Sequence, residues 1–224
     1  MPKTGLKNGI SRMPLLLLLL LLLLSISLTA SAQQPTPQVI DLFNKGQDAH
    51  SHGNLDEAVK LYSQAIELNP NIYQIHYQLG VALMALKRPK EAVQSFEAAV
   101  KLKSDFAKGF NSLGEAQVEC ADLNGASDSF SKAIQIDANF AAAHANLGFV
   151  YIKEAATSKP NESGSLNSKA REELETAYRL GTKSSRVVVA LAETRAKTDD
   201  SAGAIELLGH GSLSLAKVLP TFYL

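Results

Sequence analysis

The sequence predicts an all-α protein, a solenoid of paired helices, on three observations. The first is an internal repeat: Leu79-Gly80, Leu113-Gly114 and Leu147-Gly148 return every 34 residues, and Lys45-Gly46 falls one step upstream. The second is apolar spacing of three to four, as in Ala58, Leu61, Tyr62, Ala65, Ile66 and Leu68, which is the period of a helix face. The third is a pair of breaks in every period. Gly53-Asn54, Lys87-Arg88-Pro89 and Asp122-Leu123-Asn124 turn one helix into its partner, while Asn69-Pro70-Asn71, Ser104-Asp105 and Asp137-Ala138-Asn139 separate one pair from the next. A helix pair of this size buries its apolar face only by stacking on another, so the pairs build a solenoid.

Taken in order, residues 1–32 read as a secretory signal peptide: Lys3, Lys7 and Arg12, then Leu15 to Leu24, then Ala30-Ser31-Ala32 with cleavage after Ala32. The run of leucines is about half the ~20 residues a membrane-crossing helix needs, so the mature protein is expected to be soluble and either periplasmic or secreted. A short linker, 33–38, leads to repeats near 39–72, 73–106, 107–140 and 141–184. The alanines Ala58, Ala92 and Ala126 keep the 34-residue step, as do Ala65, Ala99 and Ala133, each with an aromatic ring three residues before it: Tyr62, Phe96 and Phe130. Gly80, facing Ala92 and Ala99, is expected to let the two helices of a pair approach, and the rings to fill the space between pairs. Pro89 suits the first turn of its helix, where its missing N–H has no partner to lose.

The fourth repeat is interrupted. Gly148 and Ala170 are 22 residues apart where the corresponding glycine and alanine are otherwise 12 apart, so ten residues have been added. They are placed in 157–167, whose Ser, Asn, Pro and Gly predict a surface loop. Ala170, Leu174 and Ala177 resume the pattern, a degraded pair spans 185–208, and 209–224 is a C-terminal tail whose apolar end is expected to pack on the last pair or to bind elsewhere.

The composition, 46% hydrophobic and 20% charged, belongs to a folded soluble chain. Without the leader, 19 basic residues face 22 acidic ones, which gives no electrostatic footprint for nucleic acid. Cys120 is the single cysteine, so no internal disulfide can form, and it reads as a small buried hydrophobe. His50-Ser51-His52 lacks further ligands at workable spacing for a metal, and His76 and His144 read as packing residues. The chain has no phosphate-binding glycine loop, nucleophile elbow or Cys–His arrangement. Neither an enzyme nor a cofactor is therefore expected. Asn161-Glu162-Ser163 fits a glycosylation acceptor within the inserted stretch.

The 34-residue step, with Leu-Gly followed by Ala, an aromatic, Ala and, once, Pro70, resembles the tetratricopeptide repeat from Val39 to about Leu208. The resemblance implies a right-handed superhelix of about four and a half pairs whose first helices line a concave face that binds a segment of another protein. By repeat position that face would carry Asn44, Gln78, Ser112 and Asn146, an amide-rich row suited to gripping a peptide backbone, with Phe43, Tyr77, Val81, Met84 and Phe149 around it. The family's clamp for chaperone tails is not expected, because Gln47 and Gln78 stand where asparagines belong and Ser112 replaces a basic residue. The function implied is an extracytoplasmic scaffold or adaptor, in envelope assembly or secretion. Self-association is the alternative, and contact with membrane is expected only through the signal peptide before cleavage.

Overall fold

The computed structural model describes residues 34–210. Residues 1–33, where a signal peptide is expected, and residues 211–224 of the expected tail lie outside the described residues. Among those described, ten α-helices follow one another: α1 (Pro37–Ser51), α2 (Leu55–Leu68), α3 (Tyr73–Ala85), α4 (Pro89–Leu102), α5 (Ala107–Glu119), α6 (Leu123–Ile136), α7 (Ala141–Thr157), α8 (Pro160–Arg179), α9 (Ser185–Lys197) and α10 (Ser201–His210). Each packs on the helix before it and the helix after it, and the first helices α1, α3, α5 and α7 also touch one another in succession. The stack therefore closes up on the first-helix side, which is the concave one.

The turns inside the first three pairs share one conformation. Gly53, Lys87 and Ala121, 34 residues apart, all take positive φ, at 76°, 59° and 62°. In each, the next amide bonds a carbonyl five residues back: Asn54 to Ala49, Arg88 to Leu83 and Asp122 to Gln117, all at 2.9 Å. These bonds satisfy carbonyls that a helix end leaves free. Glycine adopts this conformation without penalty, whereas a residue with a Cβ gives up about 1–2 kcal/mol. At Lys87 and Ala121 the closed turn outweighs that cost.

The packing inside a pair corrects one expectation. Rings do not simply fill the space between pairs; each lies on the glycine of its own pair. A Cβ built on Gly46, Gly80 or Gly114 would come within 2.5 Å of Tyr62, 2.6 Å of Phe96 or 2.6 Å of Phe130. The glycine is the floor of a socket for the ring, and the alanines beside it, Ala58, Ala92, Ala126 and their partners Ala65, Ala99 and Ala133, are fully buried. Phe96 belongs to one buried cluster with Leu113 and Ala116 of the following pair, so the core is continuous from one unit to the next. Tyr62 fills its socket with a phenol whose oxygen has no hydrogen-bond partner among the described residues, and burial pushes that phenol up to about 12.

The inserted stretch 157–167 is not a loop. Only Ser158 and Lys159 separate α7 from α8, which have 17 and 20 residues against 13 and 14 in the second pair. Pro160 occupies the first turn of α8, where its ring fits. The polar side chains that suggested a loop bond back along the helix: Ser163 to the carbonyl of Pro160 at 3.0 Å, Asn167 to that of Ser163 at 2.8 Å, and Ser168 to that of Gly164 at 3.0 Å. With packing along the longer α7 on one side, weak local propensity is overruled. Asn161-Glu162-Ser163 accordingly sits in the first turn of α8, with Asn161 exposed. Gly148 still finds its socket filler, now Leu174, 2.7 Å from the position of a Cβ.

The last two pairs share a buried apolar cluster that includes Leu174, Ala177, Val187, Leu191 and Leu207, and a charge network lies beside it. Arg171 on α8 reaches Glu175 at 3.0 Å and Asp200 at 3.1 Å, while Arg195 on α9 reaches Glu175 at 3.0 Å and the carbonyl of Gly203 at 3.2 Å. Two smaller corrections concern single residues. Cys120 is the half-buried residue that ends α5, not a buried hydrophobe. His76 and His144 are more than packing: each ring reaches a carbonyl six residues upstream, Pro70 at 2.8 Å and Ala138 at 3.1 Å, which pins the turn between pairs, and His144 also meets Glu173 at 2.6 Å.

Candidate functional site

The concave face carries two adjoining depressions that share Met84 and Glu115. The larger, about 730 Å³, runs from Tyr77, Val81 and Met84 on α3 to Asn111, Ser112 and Glu115 on α5 and is also lined by Phe106 and Phe140. The smaller, about 350 Å³, continues past Val118 and Glu119 on α5 to Asn146, Phe149 and Lys153 on α7 and ends at Arg186 on α9. Together they form a trough that crosses the first helices of four consecutive pairs.

Aromatic contacts fix its apolar end. The Tyr77 ring meets Phe96 at 5.6 Å and Phe106 at 5.1 Å, and Phe106 meets Tyr73 edge-on at 5.2 Å. Lys108 stands 5.6 Å over the Tyr77 ring and Lys103 stands 5.1 Å over Tyr73. Rings locked this way lose little further freedom when a partner settles on them, which is the condition for a binding surface to convert contact into affinity.

The polar floor is a small network between α5 and α7. Asn111 donates to Glu115 at 2.8 Å, and Asn146 donates both to Asn111 at 3.1 Å and to Glu115 at 3.1 Å. The expected amide row is therefore altered. Asn146 is committed to neighbouring side chains instead of being free for a peptide, and Ser112 faces the Tyr77 hydroxyl at 3.4 Å. Gln78 is half-buried and lies outside both depressions, as do Asn44, which is exposed, and Phe43, which packs on Tyr62 with ring centres 5.9 Å apart.

Of the residues expected from the sequence, the structure brings together Tyr77, Val81, Met84, Ser112, Asn146 and Phe149. It adds Phe106, Phe140, Asn111 and Arg186. Phe106 and Phe140 do have a signal: with Ile72 they form a 34-residue series of apolar residues just before the first helices of the second, third and fourth pairs. Glu115 stands in the series of Val81 and Phe149. Asn111 had no such signal, since its counterparts are Tyr77 and Ala145. Arg186 rests on the Phe149 ring at 3.9 Å, a contact between two pairs that no spacing rule predicts.

Among the described residues no group of three or more His, Cys, Asp or Glu is placed to hold a metal ion, and no helix is long and apolar enough to cross a membrane. His50 and His52 sit at the end of α1, where the His52 ring bonds the carbonyl of Asp48 at 2.8 Å.

Residues 43–105 match the family model of the tetratricopeptide repeat. The chain folds as a solenoid of tetratricopeptide repeats. The solved structure of the protein MamA superposes with a TM-score of 0.69 at 20% identity, covering 84% of this chain and 96% of that one. YrrB, described as a tetratricopeptide protein with an unusual peptide-binding site, gives 0.67 at 17% identity over 89% of this chain and 97% of that one. The first tetratricopeptide domain of Spaghetti, solved with an HSP90 peptide, gives 0.52 at 21% identity over 56% of this chain and 98% of that one. These identities speak for the fold alone. No curated protein matches the sequence.

Proposed function

We propose that this protein is a non-catalytic scaffold or adaptor that works outside the cytoplasm and holds a segment of another protein in its concave trough, in envelope assembly or secretion. The observation that carries the reading is the trough itself: an open apolar channel from Tyr77, Met84 and Phe106 to Phe149, with its aromatic walls already fixed and its polar floor already bonded. Such a surface takes up an extended or helical segment through side-chain burial, at about 25 cal/mol per Å² of apolar area removed from water. The peptide-binding descriptions of two solved neighbours support it at the level of the fold. Export rests on the leader, with its leucine run and the Ala30-Ser31-Ala32 end.

The test is site-specific photocrosslinking in the native setting, with a photoreactive residue at Met84 in the trough and at Lys60, exposed on α2, as control. The reading expects one defined partner segment captured from Met84 and not from Lys60. Equal capture from both positions would place binding elsewhere. N-terminal sequencing of the mature chain checks export separately: it should begin at Gln33, and a start at Met1 would reject export.

A further inference from the structure

The trough sorts its charges by helix. We propose that it selects its partner by that order: an extended segment of another protein that lays apolar side chains over α3, a basic side chain over α5 and, about three residues further on, an acidic side chain over α7. The proposal rests on reading the trough as the binding surface and adds which segment it accepts.

Four charged groups line the smaller depression: Glu115 and Glu119 on α5, Lys153 on α7 and Arg186 on α9. Carboxylates and cations share one cavity, yet among the described residues none of the four makes an ion pair. Glu119 and Lys153 are 34 residues apart and so hold the same place on successive first helices. Glu115 spends one oxygen: its Oε1 takes both amides, Asn111 at 2.8 Å and Asn146 at 3.1 Å, which leaves Oε2 for a donor from outside. Arg186 rests on the ring of Phe149, one helical turn before Lys153, so both cations stand at α7. Helix chemistry does not account for Glu119, which ends α5, where the dipole disfavours a carboxylate. In the larger depression Lys103 is taken by Asp105 at 3.9 Å, Lys108 stands over Tyr77 and Asp137 accepts from the Asn139 amide, which leaves Tyr77, Val81, Met84 and Phe106 as an apolar landing.

The spacing sets the form of the segment. First helices of successive pairs stand on the order of 10 Å apart. An extended chain in the polyproline II form makes one turn in three residues and advances about 9 Å, so side chains at i and i+3 face the same way at that interval. The smaller depression holds about 350 Å³ over the same distance, a cross-section of roughly 35 Å², under half that of a helix ~10 Å across. An extended segment fits where a helix does not. A partner cation at α5 and a partner carboxylate at α7 each meet a charge that has no other mate, and the exchanged order meets like charge at both places.

The experiment is selection from a displayed library of random peptides on the purified protein, followed by titration of the best peptide, made synthetically with blocked ends. Selected peptides should share a basic and an acidic residue about three apart, with apolar residues on the basic side. Exchanging those two charges in the peptide should weaken binding at least about tenfold. Glu119→Lys combined with Lys153→Glu, two exposed positions whose exchange keeps the net charge, should bring the two peptides to within about threefold of each other. Met84→Glu should weaken both. Peptides that need Met84 but bind equally well with their charges exchanged would overturn the charge order and leave the trough as the binding surface. Charges selected seven residues apart would overturn it too, by making the occupant a helix. Peptides that Met84→Glu does not affect, or no enriched peptide at all, would overturn the trough reading and this proposal with it.

Discussion

In the first three pairs a glycine on the first helix receives a ring from the second, Gly46 with Tyr62, Gly80 with Phe96 and Gly114 with Phe130; in the fourth the glycine remains and Leu174 takes the place of the ring. The fourth pair has longer helices, and it shares a buried apolar cluster with the fifth, Leu174 and Ala177 with Val187, Leu191 and Leu207, beside which Arg171, Arg195, Glu175 and Asp200 are linked. The comparison shows that the repeat specifies a socket and its register more firmly than the group that fills it. Ten residues can be added between the glycine and its filler, provided they extend both helices and leave Ala170, Leu174 and Ala177 buried.

The sharpest way to break this comparison is to empty a socket. Phe130→Ala should cost about 3–5 kcal/mol in urea unfolding and Leu174→Ala about 2–5. Phe130→Leu, which copies the fourth pair, should cost less than about 1.5. If Phe130→Leu were as damaging as Phe130→Ala, a leucine would not serve as a filler and the two halves would not be solving one problem.

Blocking a socket from the other side is the next largest effect. Gly114→Leu drives side-chain atoms into the Phe130 ring and should cost about 1–3 kcal/mol or more. Gly164→Leu meets nothing within 4 Å on an exposed turn of α8 and should be neutral or stabilise by up to about 1 kcal/mol through helix propensity. The second expectation replaces the one that a loop at 157–167 would have given, and a loss at Gly164 would contradict the helix.

Much of this was legible in the residues. Spacing alone placed the glycines, the alanines and the rings, and the family resemblance, carried over by repeat position, put Tyr77, Val81, Met84 and Phe149 on the concave face, where they line the trough. What stayed hidden depended on contacts between side chains distant in sequence. The Asn146–Asn111–Glu115 network commits one member of the expected amide row, Asn146, to a bonded floor, and no repeat position announces it. The stretch 157–167 misled because Ser, Asn and Gly report weak local preference, while the decision lay with the neighbouring helix. Phe106 and Phe140 stand in a 34-residue series with Ile72, next to the turns and outside the helix-face pattern.

Charge should matter only toward the end of the molecule. Arg195→Ala removes a half-buried link between α8, α9 and α10 and should cost about 1–2 kcal/mol, less at high salt because exposed parts of the network are screened. The same salt should leave Phe130→Leu unchanged. A salt-independent Arg195→Ala would mean that its packing, and not its charge, joins the last pairs.

The smallest effect separates the first socket from the second and third. Tyr62→Phe deletes a buried hydroxyl that has no partner among the described residues and should be neutral or stabilise by up to about 1 kcal/mol near neutral pH. The pH dependence has a definite sign. With the phenol pushed up to about 12 in the folded chain, the unfolded chain loses its proton first, so stability is intact below pH ~10 and falls as pH rises toward 12, by roughly 2–3 kcal/mol at one pKa unit per 1.4 kcal/mol. Tyr62→Phe should remove that part of the alkaline loss, and an unchanged alkaline slope would show that the phenol ionises as freely in the fold as out of it.

The trough as the binding surface is tested most directly by putting a charge into it. Met84 is half-buried and lines both depressions, so Met84→Glu places a carboxylate on the apolar path while leaving the glycine sockets intact; Lys101→Glu makes a charge change on the exposed side of α4. Calorimetric titration with the segment captured from Met84 should show affinity lowered at least about tenfold, or about 1.4 kcal/mol, by Met84→Glu and unchanged by Lys101→Glu, with both variants melting near the parent. Equal affinity in the two variants, or an equal loss in both, would contradict the assignment of binding to the concave face.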